Sequence, residues 1–153
     1  MKPSDLSRFY DKFYIGDSTE CWLWDAATIP DGYGSFGLGG RQHGAHRIMY
    51  QLFNGPIPKG ITIDHSCRIY NCVNPLHLRL ATYKQNNENV GPKSCNVTGI
   101  RGVTYIKYKK KYRVTVRHNG KNYYGGYFFD KYEAEKKAIE MRNTLFTHNM
   151  EEL

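Results

Sequence analysis

Two cysteines and a histidine lie within eleven residues, in the arrangement Cys67-x4-Cys72-x4-His77. Thiolate sulfur and imidazole nitrogen are ligands that zinc prefers, and a closed structural zinc site needs four of them. Cys21 is the best candidate for the fourth, because it begins an aromatic segment whereas Cys95 lies in a polar stretch. With all four positions filled, the pattern predicts structural rather than catalytic zinc. The alternative is buried free cysteines beside a surface histidine.

Another histidine, His65, comes shortly before the first of these cysteines and directly after Asp64. A zinc-bound loop would hold its imidazole without using it as a ligand, and a neutral imidazole can accept a proton from water. Further along the chain, Asn86 offers an amide oxygen, a hard ligand suited to magnesium. Each residue alone is weak evidence, but their combination with a zinc loop is much more specific.

Local sequence patterns predict the elements that position these residues. Gly39-Gly40 is the expected turn of a glycine-rich hairpin, and apolar side chains at helical spacing follow it. Thr82 with Gln85 has the form of a capping box, which predicts a helix start. The predicted elements are a hairpin over 32–44, a helix over 45–53, strands at 61–65 and 78–80, and a helix from Thr82.

The second half of the chain differs from the first in charge. Residues 1–88 hold nine Lys and Arg against eight Asp and Glu, whereas residues 89–153 hold thirteen against six. This asymmetry indicates a polyanionic partner for the second half. Between the halves runs a polar, Asn-rich stretch broken by Gly91-Pro92. We therefore predict two domains, 1–88 and 98–153, joined by a linker at 89–97.

Alternating side chains predict a small sheet in the second half. In the middle strand, Tyr112, Val114 and Val116 share one face, which we assign to the core. Asn119-Gly120 is typical of a tight hairpin, and Asp130 is a good helix N-cap. The predicted strands are 101–107, 111–118 and 122–128, followed by a helix from Asp130. The fold class is thus α+β, ending in a three-stranded antiparallel sheet packed on one helix.

The first half resembles the HNH and His-Cys-box endonucleases of the His-Me finger superfamily, which includes phage-borne and homing enzymes. The resemblance covers roughly residues 20–89. It is carried by Cys21–Trp24, Gly32-Tyr33-Gly34, Ala45-His46-Arg47, Gly55-Pro56-Ile57-Pro58, Asp64-His65, the Cys67, Cys72 and His77 spacing, Asn74-Pro75 and Asn86. It implies a zinc-stapled ββα-metal nuclease core, in which two strands joined by a loop precede a helix. His77 stands where many HNH members have Asn, which favours a zinc-bearing branch.

This resemblance also implies roles for individual residues. His65 is the general base, Asn86 holds the catalytic Mg²⁺ or Mn²⁺, and Asp64 is a further metal ligand in the HNH branch. Phosphodiester hydrolysis needs positive charge near the phosphate, for which a guanidinium is suited. We favour Arg47 for this role, with Arg41 of the hairpin as the alternative.

The second half looks like the plant ethylene-response-factor (Apetala-type) DNA-binding domain over residues 98–147. The similar segments are Thr98–Val103, Lys111–Val114, Gly125–Phe128 and Asp130 with the Ala-rich helix after it. Residues 93–129 hold nine Lys and Arg and no acidic residue. A basic three-stranded sheet can lie in the major groove of duplex DNA. The predicted contacts are Arg101, Thr104, Lys107, Lys109, Arg113, Thr115, Arg117 and Tyr124.

A magnesium-dependent DNA endonuclease is the favoured reading, with double-stranded DNA as partner. Alternatives are a non-catalytic DNA-binding or regulatory protein built on the same modules, and a structural zinc protein that binds RNA. The sequence has no membrane-length apolar run and no secretory signal, so we expect an intracellular protein, in the bacterial cytoplasm if phage-encoded. A homodimer is compatible with the sequence but not required by it.

Overall fold

A computed structural model of the chain describes residues 1–92 and 94–149. The chain divides into two compact units, Met1–Asn86 and Asn87–Leu153. Helices alternate with small antiparallel sheets, so the fold is of the mixed α+β class that the sequence predicts. Among the described residues, no helix is both long enough and apolar enough to cross a lipid bilayer.

The first unit contains every element predicted for it, together with an N-terminal helix that was not predicted. The elements are α1 (Pro3–Tyr10), β1 (Ser35–Leu38), β2 (Arg41–Gly44), α2 (Ala45–Asn54), β3 (Thr62–His65), β4 (Leu78–Ala81) and α3 (Tyr83–Glu88). β1 and β2 form the predicted hairpin, which turns at Gly39 and Gly40 with φ angles of 59° and 75°. Side chains other than glycine rarely adopt such angles, which explains the glycine pair.

Aromatic packing forms the core of the first unit. Phe9 of α1 is fully buried, with ring centroids 5.3 Å from Trp24 and 5.2 Å from Phe36. Met49 of α2 and Ile63 of β3 belong to the same cluster. Burying such large side chains is the main favourable term in folding. Through this core, α1 fixes the hairpin and α2 around β3.

β3, β4 and α3 follow one another in the order strand, strand, helix. β3 and β4 are antiparallel, with Asp64 opposite Arg79 and His65 opposite Leu78. The predicted capping box is present, because Gln85 N donates to Thr82 Oγ1 (3.3 Å) and Thr82 N donates to Gln85 Oε1 (2.9 Å). These reciprocal bonds satisfy main-chain donors at the start of α3.

The second unit has the predicted sheet and helix. Its elements are β5 (Val103–Ile106), β6 (Lys111–His118), β7 (Lys121–Phe128) and α4 (Lys131–Leu145), with strand order β5-β6-β7. Val114 is fully buried beneath Ala134 and Ala138 of α4. Gly125 lies under α4, and a Cβ there would come within 2.5 Å of Met141 Sδ, so only glycine fits. Asp130 caps α4 by accepting from the main-chain N–H groups of Tyr132 and Glu133.

Part of the segment predicted as a linker is packed structure within the second unit. Asn89 of this segment is buried, and so is Glu88 just before it, whose Oε2 accepts from Thr147 N at 2.9 Å. The Arg101 guanidinium donates to the main-chain oxygens of Asn87, Glu88 and Val90. The division between the two compact units falls within α3, between residues 86 and 87.

Candidate functional site

Four side chains predicted to bind zinc meet at one point in the first unit. The ligand atoms of Cys21, Cys67, Cys72 and His77 all lie within 4.8 Å of one another. His77 Nδ1 is 3.5 Å from the sulfur of Cys21 and 3.6 Å from that of Cys72. The cluster could therefore hold one metal ion. Three sulfurs and one imidazole nitrogen are a donor set typical of structural zinc.

Main-chain pairing brings Cys21 to the other three ligands, which are distant from it in sequence. Trp24 N donates to Asn71 O and Val73 N donates to Trp22 O, both at 2.8 Å. These bonds lay the segment after Cys21 antiparallel to the segment around Cys72. The fourth ligand is thus delivered by a short strand-like pairing that periodicity in the sequence does not reveal.

Asn74 stabilises the same arrangement, although the sequence alone predicts no separate role for it. Its side chain is fully buried and donates to the main-chain oxygens of Ser18 (2.9 Å) and Glu20 (2.7 Å). Its Oδ1 accepts from Leu76 N at 3.0 Å, which caps the short 3₁₀ turn Pro75–His77. A buried amide with satisfied donors and acceptor specifies one local conformation. The signal in the sequence is the Asn-Pro pair just before His77.

The thiols of the cluster are electrostatically coupled. A hydrogen bond from the Cys72 thiol lowers the pKa of Cys67 to about 5, and the same bond raises the pKa of Cys72. Burial raises the pKa of Cys21. Without a cation, the cluster therefore favours a thiolate at Cys67. A divalent metal ion would favour the deprotonated form of all three thiols.

His65 is buried at the end of β3 and hydrogen-bonded to the metal-binding loop. Its Nε2 lies 3.0 Å from the main-chain oxygen of Cys72. Because a carbonyl oxygen only accepts hydrogen bonds, Nε2 carries the proton and Nδ1 carries the lone pair. The loop thereby fixes both the ring orientation and the tautomer of His65. Burial lowers the pKa of His65, which keeps the ring neutral near pH 7.

Two aromatic rings, those of His46 and Tyr33, pack beside His65. The ring centroid of His46 is 5.0 Å from that of His65, and the Tyr33 centroid is 5.7 Å away. Burial, together with the charges of His65 and Arg47, lowers the pKa of His46 to about 3. His46 is therefore neutral near pH 7, so two uncharged imidazoles pack side by side.

Asp64 is paired with an arginine from the neighbouring strand. Arg79 Nε and Nη2 both lie 2.8 Å from Asp64 Oδ2, and the carboxylate is almost completely buried. A buried carboxylate needs such a partner to remain ionised. A metal ion bound by Asp64 would have to share this carboxylate with Arg79.

Asn86 and Arg47 line one groove, although they are 39 positions apart. The groove has a volume of about 400 Å³ and runs along the β1–β2 hairpin, the first turn of α2 and β3. We call it the hairpin groove. Arg41, the alternative to Arg47 in the sequence analysis, is exposed outside it. The structure thus brings Asn86 and Arg47 to one surface and leaves Arg41 apart from them.

Most of the predicted DNA contacts lie on one face of the second unit. Val114 and Val116 are buried, so the side chains that alternate with them face away from α4. Thr104 pairs with Arg113 and Thr115 pairs with Tyr124, which extends this face over three strands. We call it the sheet face. Its predicted contacts are Thr104, Arg113, Thr115, Arg117 and Tyr124.

Three predicted DNA contacts are not part of the sheet face: Lys107, Lys109 and Arg101. Lys107 and Lys109 lie in a 3₁₀ turn after β5, where Lys109 Nζ is 3.3 Å from Tyr127 Oη and 4.4 Å from the centre of that ring. The Arg101 guanidinium is 5.2 Å from the centre of the Phe146 ring and donates to three main-chain oxygens. These three internal bonds show that Arg101 stabilises the second unit, and its contact with DNA stays a prediction.

Comparison with known proteins identifies an HNH endonuclease domain at residues 43–88. The chain is also similar to three proteins of Escherichia phage T7. Protein 7.7 is 34% identical over 80 residues, which cover 52% of the chain and 62% of that protein. Protein 3.8 is 36% identical over 83 residues, covering 51% and 64% respectively. Protein 2.8 is 35% identical over 86 residues, covering 55% and 58%.

These alignments span about three-fifths of the length of the T7 proteins. No solved structure matches the chain significantly. The HNH match begins at His43, in the hairpin, and ends at Glu88, at the end of α3. It therefore contains His65, Asn86, Arg47 and three of the four clustered metal ligands. The family matched over these residues is one of endonucleases.

Proposed function

We propose that the chain is a magnesium-dependent DNA endonuclease that uses His65 as its general base. The observation that carries this proposal is the 3.0 Å hydrogen bond between His65 Nε2 and Cys72 O, within the segment that matches the HNH endonucleases. That bond leaves the lone pair on Nδ1, and burial keeps the ring neutral. A neutral imidazole of fixed tautomer is the state that a general base requires.

The proposed reaction is hydrolysis of a phosphodiester bond. His65 Nδ1 takes a proton from water as the water oxygen attacks phosphorus, and the bond to the leaving oxygen breaks. Arg47 is exposed on the groove that Asn86 also lines, so its guanidinium is available to a phosphate oxygen there. A positive charge at this point would offset negative charge that develops in the transition state.

Two kinds of metal site are proposed, distinguished by their donor atoms. The amide oxygen of Asn86 and the carboxylate of Asp64 are hard donors that fit Mg²⁺ or Mn²⁺. A divalent ion held there would neutralise charge on the phosphate and stabilise the leaving oxygen. Cys21, Cys67, Cys72 and His77 fit zinc, which would fix the loop that orients His65. Because Arg79 already holds Asp64, Asn86 is the principal proposed Mg²⁺ ligand.

The second unit is proposed to bind duplex DNA through the sheet face. Arg113 and Arg117 are exposed there, and no acidic residue occurs between residues 93 and 129. Lysine and arginine contacts to phosphates supply most of the sequence-independent affinity of DNA-binding proteins. This proposal includes an Apetala-type DNA-binding role for the second unit. It also includes an intracellular site of action, in the bacterial host.

A plasmid assay with purified full-length protein tests the proposed activity. Supercoiled DNA should be converted to open-circular or linear forms with Mg²⁺ and not without it. The same preparation should bind duplex DNA in the absence of added divalent ion. Binding without any cleavage across Mg²⁺ and Mn²⁺ concentrations would favour the alternative function, a non-catalytic DNA-binding or regulatory protein.

A further inference from the structure

The hairpin groove has the chemical character of an anion-binding surface. None of the described residues that line it is acidic, and Arg47 and His43 both contribute to its wall. Both of these side chains are exposed, so they can approach a ligand without a change of fold. The first unit as a whole carries little net charge, with nine Lys and Arg against seven Asp and Glu up to Asn86. The side chains of Arg47 and His43 therefore place hydrogen-bond donors at the groove, within a unit that carries little net charge.

Two further polar side chains, Gln42 and His46, line the groove. His46 Nδ1 is a buried atom with no hydrogen-bond partner among the described residues. Buried polar atoms nearly always have partners, and leaving one without a partner is costly. Gln42 Oε1 accepts from Ser35 Oγ at 3.0 Å, which directs the oxygen of that amide to the hairpin and leaves its N–H₂ group as a donor. His46 Nδ1 is buried below the groove surface, so the N–H₂ group of the exposed Gln42 is the donor that a polar ligand in the groove would meet.

The groove also offers an apolar wall and sufficient space. Ile29 and Tyr33 line it beside the polar groups. Its volume of about 400 Å³ lies within the range of small-ligand sites, roughly 300–1,000 Å³. A phosphate group would occupy only the cationic part, whereas a nucleotide has a sugar and base for the apolar part. The combination of donors and apolar wall fits a nucleotide better than a free phosphate ion.

We propose that the hairpin groove binds one nucleotide of the DNA strand next to the scissile bond, with Arg47 and His43 at its phosphate. This inference rests on the proposed endonuclease function and adds a substrate-binding site to it. Asn86, the proposed Mg²⁺ ligand, lines the same groove, so the bound nucleotide adjoins the proposed catalytic ion. The first unit would thereby position the strand itself, in addition to any DNA binding by the second unit.

A titration of the full-length protein with the trinucleotide dTpTpT tests this site, followed by NMR of the histidine ring protons. No divalent ion is added, so the result does not depend on hydrolysis. The signals of His43 and His46 should shift saturably. Arg47→Ala should weaken this binding by roughly tenfold, as expected for loss of a hydrogen bond from a charged group. Arg41→Ala removes the same charge from the same hairpin outside the groove, and should weaken it less than about twofold.

Three outcomes would overturn the proposal. Thymidine without phosphate could shift the same signals equally, Arg41→Ala could weaken binding as much as Arg47→Ala, or only His118 and His148 of the second unit could respond. Melting temperatures of both variants control for folding. If the protein binds dTpTpT in the groove but never cleaves plasmid, the nucleotide site is supported and the proposed endonuclease activity is refuted. If the protein cleaves plasmid but the signals of His43 and His46 do not respond, the endonuclease activity is supported and the nucleotide site is refuted.

Discussion

Arg79 holds the carboxylate of Asp64 from the opposite strand, with Nε and Nη2 both 2.8 Å from Oδ2. The two residues are direct partners in the β3–β4 register, one position before His65. Asp64 is almost fully buried, whereas the Arg79 side chain keeps 27% of its exposure. The pair therefore both joins the strands and determines how much of the Asp64 carboxylate a cation could reach.

We expect Arg79→Met to destabilise the first unit by roughly 3 kcal/mol, because it leaves a buried carboxylate without its counter-ion. Asp64→Asn should be destabilising too, and the double variant should lose less than the two single variants together. Chemical denaturation measures all three. Asp5→Asn is the matched control, since the pair of Asp5 with Arg8 is more exposed and should contribute less than about 1 kcal/mol. If the double variant loses as much unfolding free energy as the two single variants together, Asp64 and Arg79 are not energetically coupled.

The metal cluster predicts about one tightly bound zinc ion per chain. Cys67→Ser removes one of four converging ligands and should lower both the zinc content and the melting temperature of the first unit. Elemental analysis and thermal melts measure these two effects. Cys95→Ser is the matched control, because Cys95 is exposed and outside the cluster. If Cys67→Ser keeps the zinc content and melting temperature of the wild type, the assignment of the cluster to zinc is wrong.

The sequence predicted the elements that carry strong local signals. Gly39-Gly40, the Thr82–Gln85 capping box and the Asp130 N-cap each reflect short-range main-chain chemistry, and all three are present. The convergence of Cys21 with His77 was also predicted, since ligand chemistry constrains metal sites even across long separations.

Other features depend on tertiary contacts that no local pattern in the sequence reveals. Helix α1 was not anticipated, because its role rests on burying Phe9 against Trp24. Nothing local marks Arg79 as the partner of Asp64, since that contact follows from strand register. Nothing local marks Arg101 as a partner of the polar stretch before it, and its bonds reach back to Val90. In each case a contact between residues distant in sequence determines the local structure, and composition alone does not predict it.

Asn86→Ala should abolish Mg²⁺-dependent cleavage because the ion loses its principal proposed protein ligand. Excess Mg²⁺ or Mn²⁺ should partly restore the rate, since weaker binding can be offset by concentration. Mn²⁺ affinity, measured by electron paramagnetic resonance, should fall more for Asn86→Ala than for Asp64→Asn, whose carboxylate Arg79 already holds. Asn87→Ala alters an exposed neighbouring amide and serves as the control. Equal Mn²⁺ affinity of Asn86→Ala and wild type would refute the ligand assignment.

Arg113→Ala and Arg117→Ala should each weaken binding of duplex DNA. Loss of one phosphate contact should also reduce the slope of log K against log salt by roughly one. Fluorescence anisotropy over a series of salt concentrations measures both quantities. Lys136→Ala removes a positive charge from α4 instead of the sheet face, so it should leave the slope nearly unchanged. A slope that changes equally for Lys136→Ala would indicate general charge attraction rather than contact through the sheet face.

His65→Ala should lower the rate of Mg²⁺-dependent cleavage by roughly a hundred- to ten-thousand-fold, the usual contribution of a general base. DNA binding should be unaffected, because the proposed contacts with duplex DNA lie mainly on the second unit. Zinc content should also be unaffected, because His65 bonds to the main-chain oxygen of Cys72 and is not one of the four clustered ligands.

His65→Gln provides the companion to this variant, because a glutamine can still donate to Cys72 O but cannot accept a proton from water near pH 7. It should retain the melting temperature better than His65→Ala and yet be equally inactive. His148→Ala, a histidine of the second unit, should cleave plasmid DNA at the wild-type rate. Wild-type cleavage by either His65 variant would show that the imidazole has only a structural role. Loss of zinc from both would instead place His65 among the metal ligands.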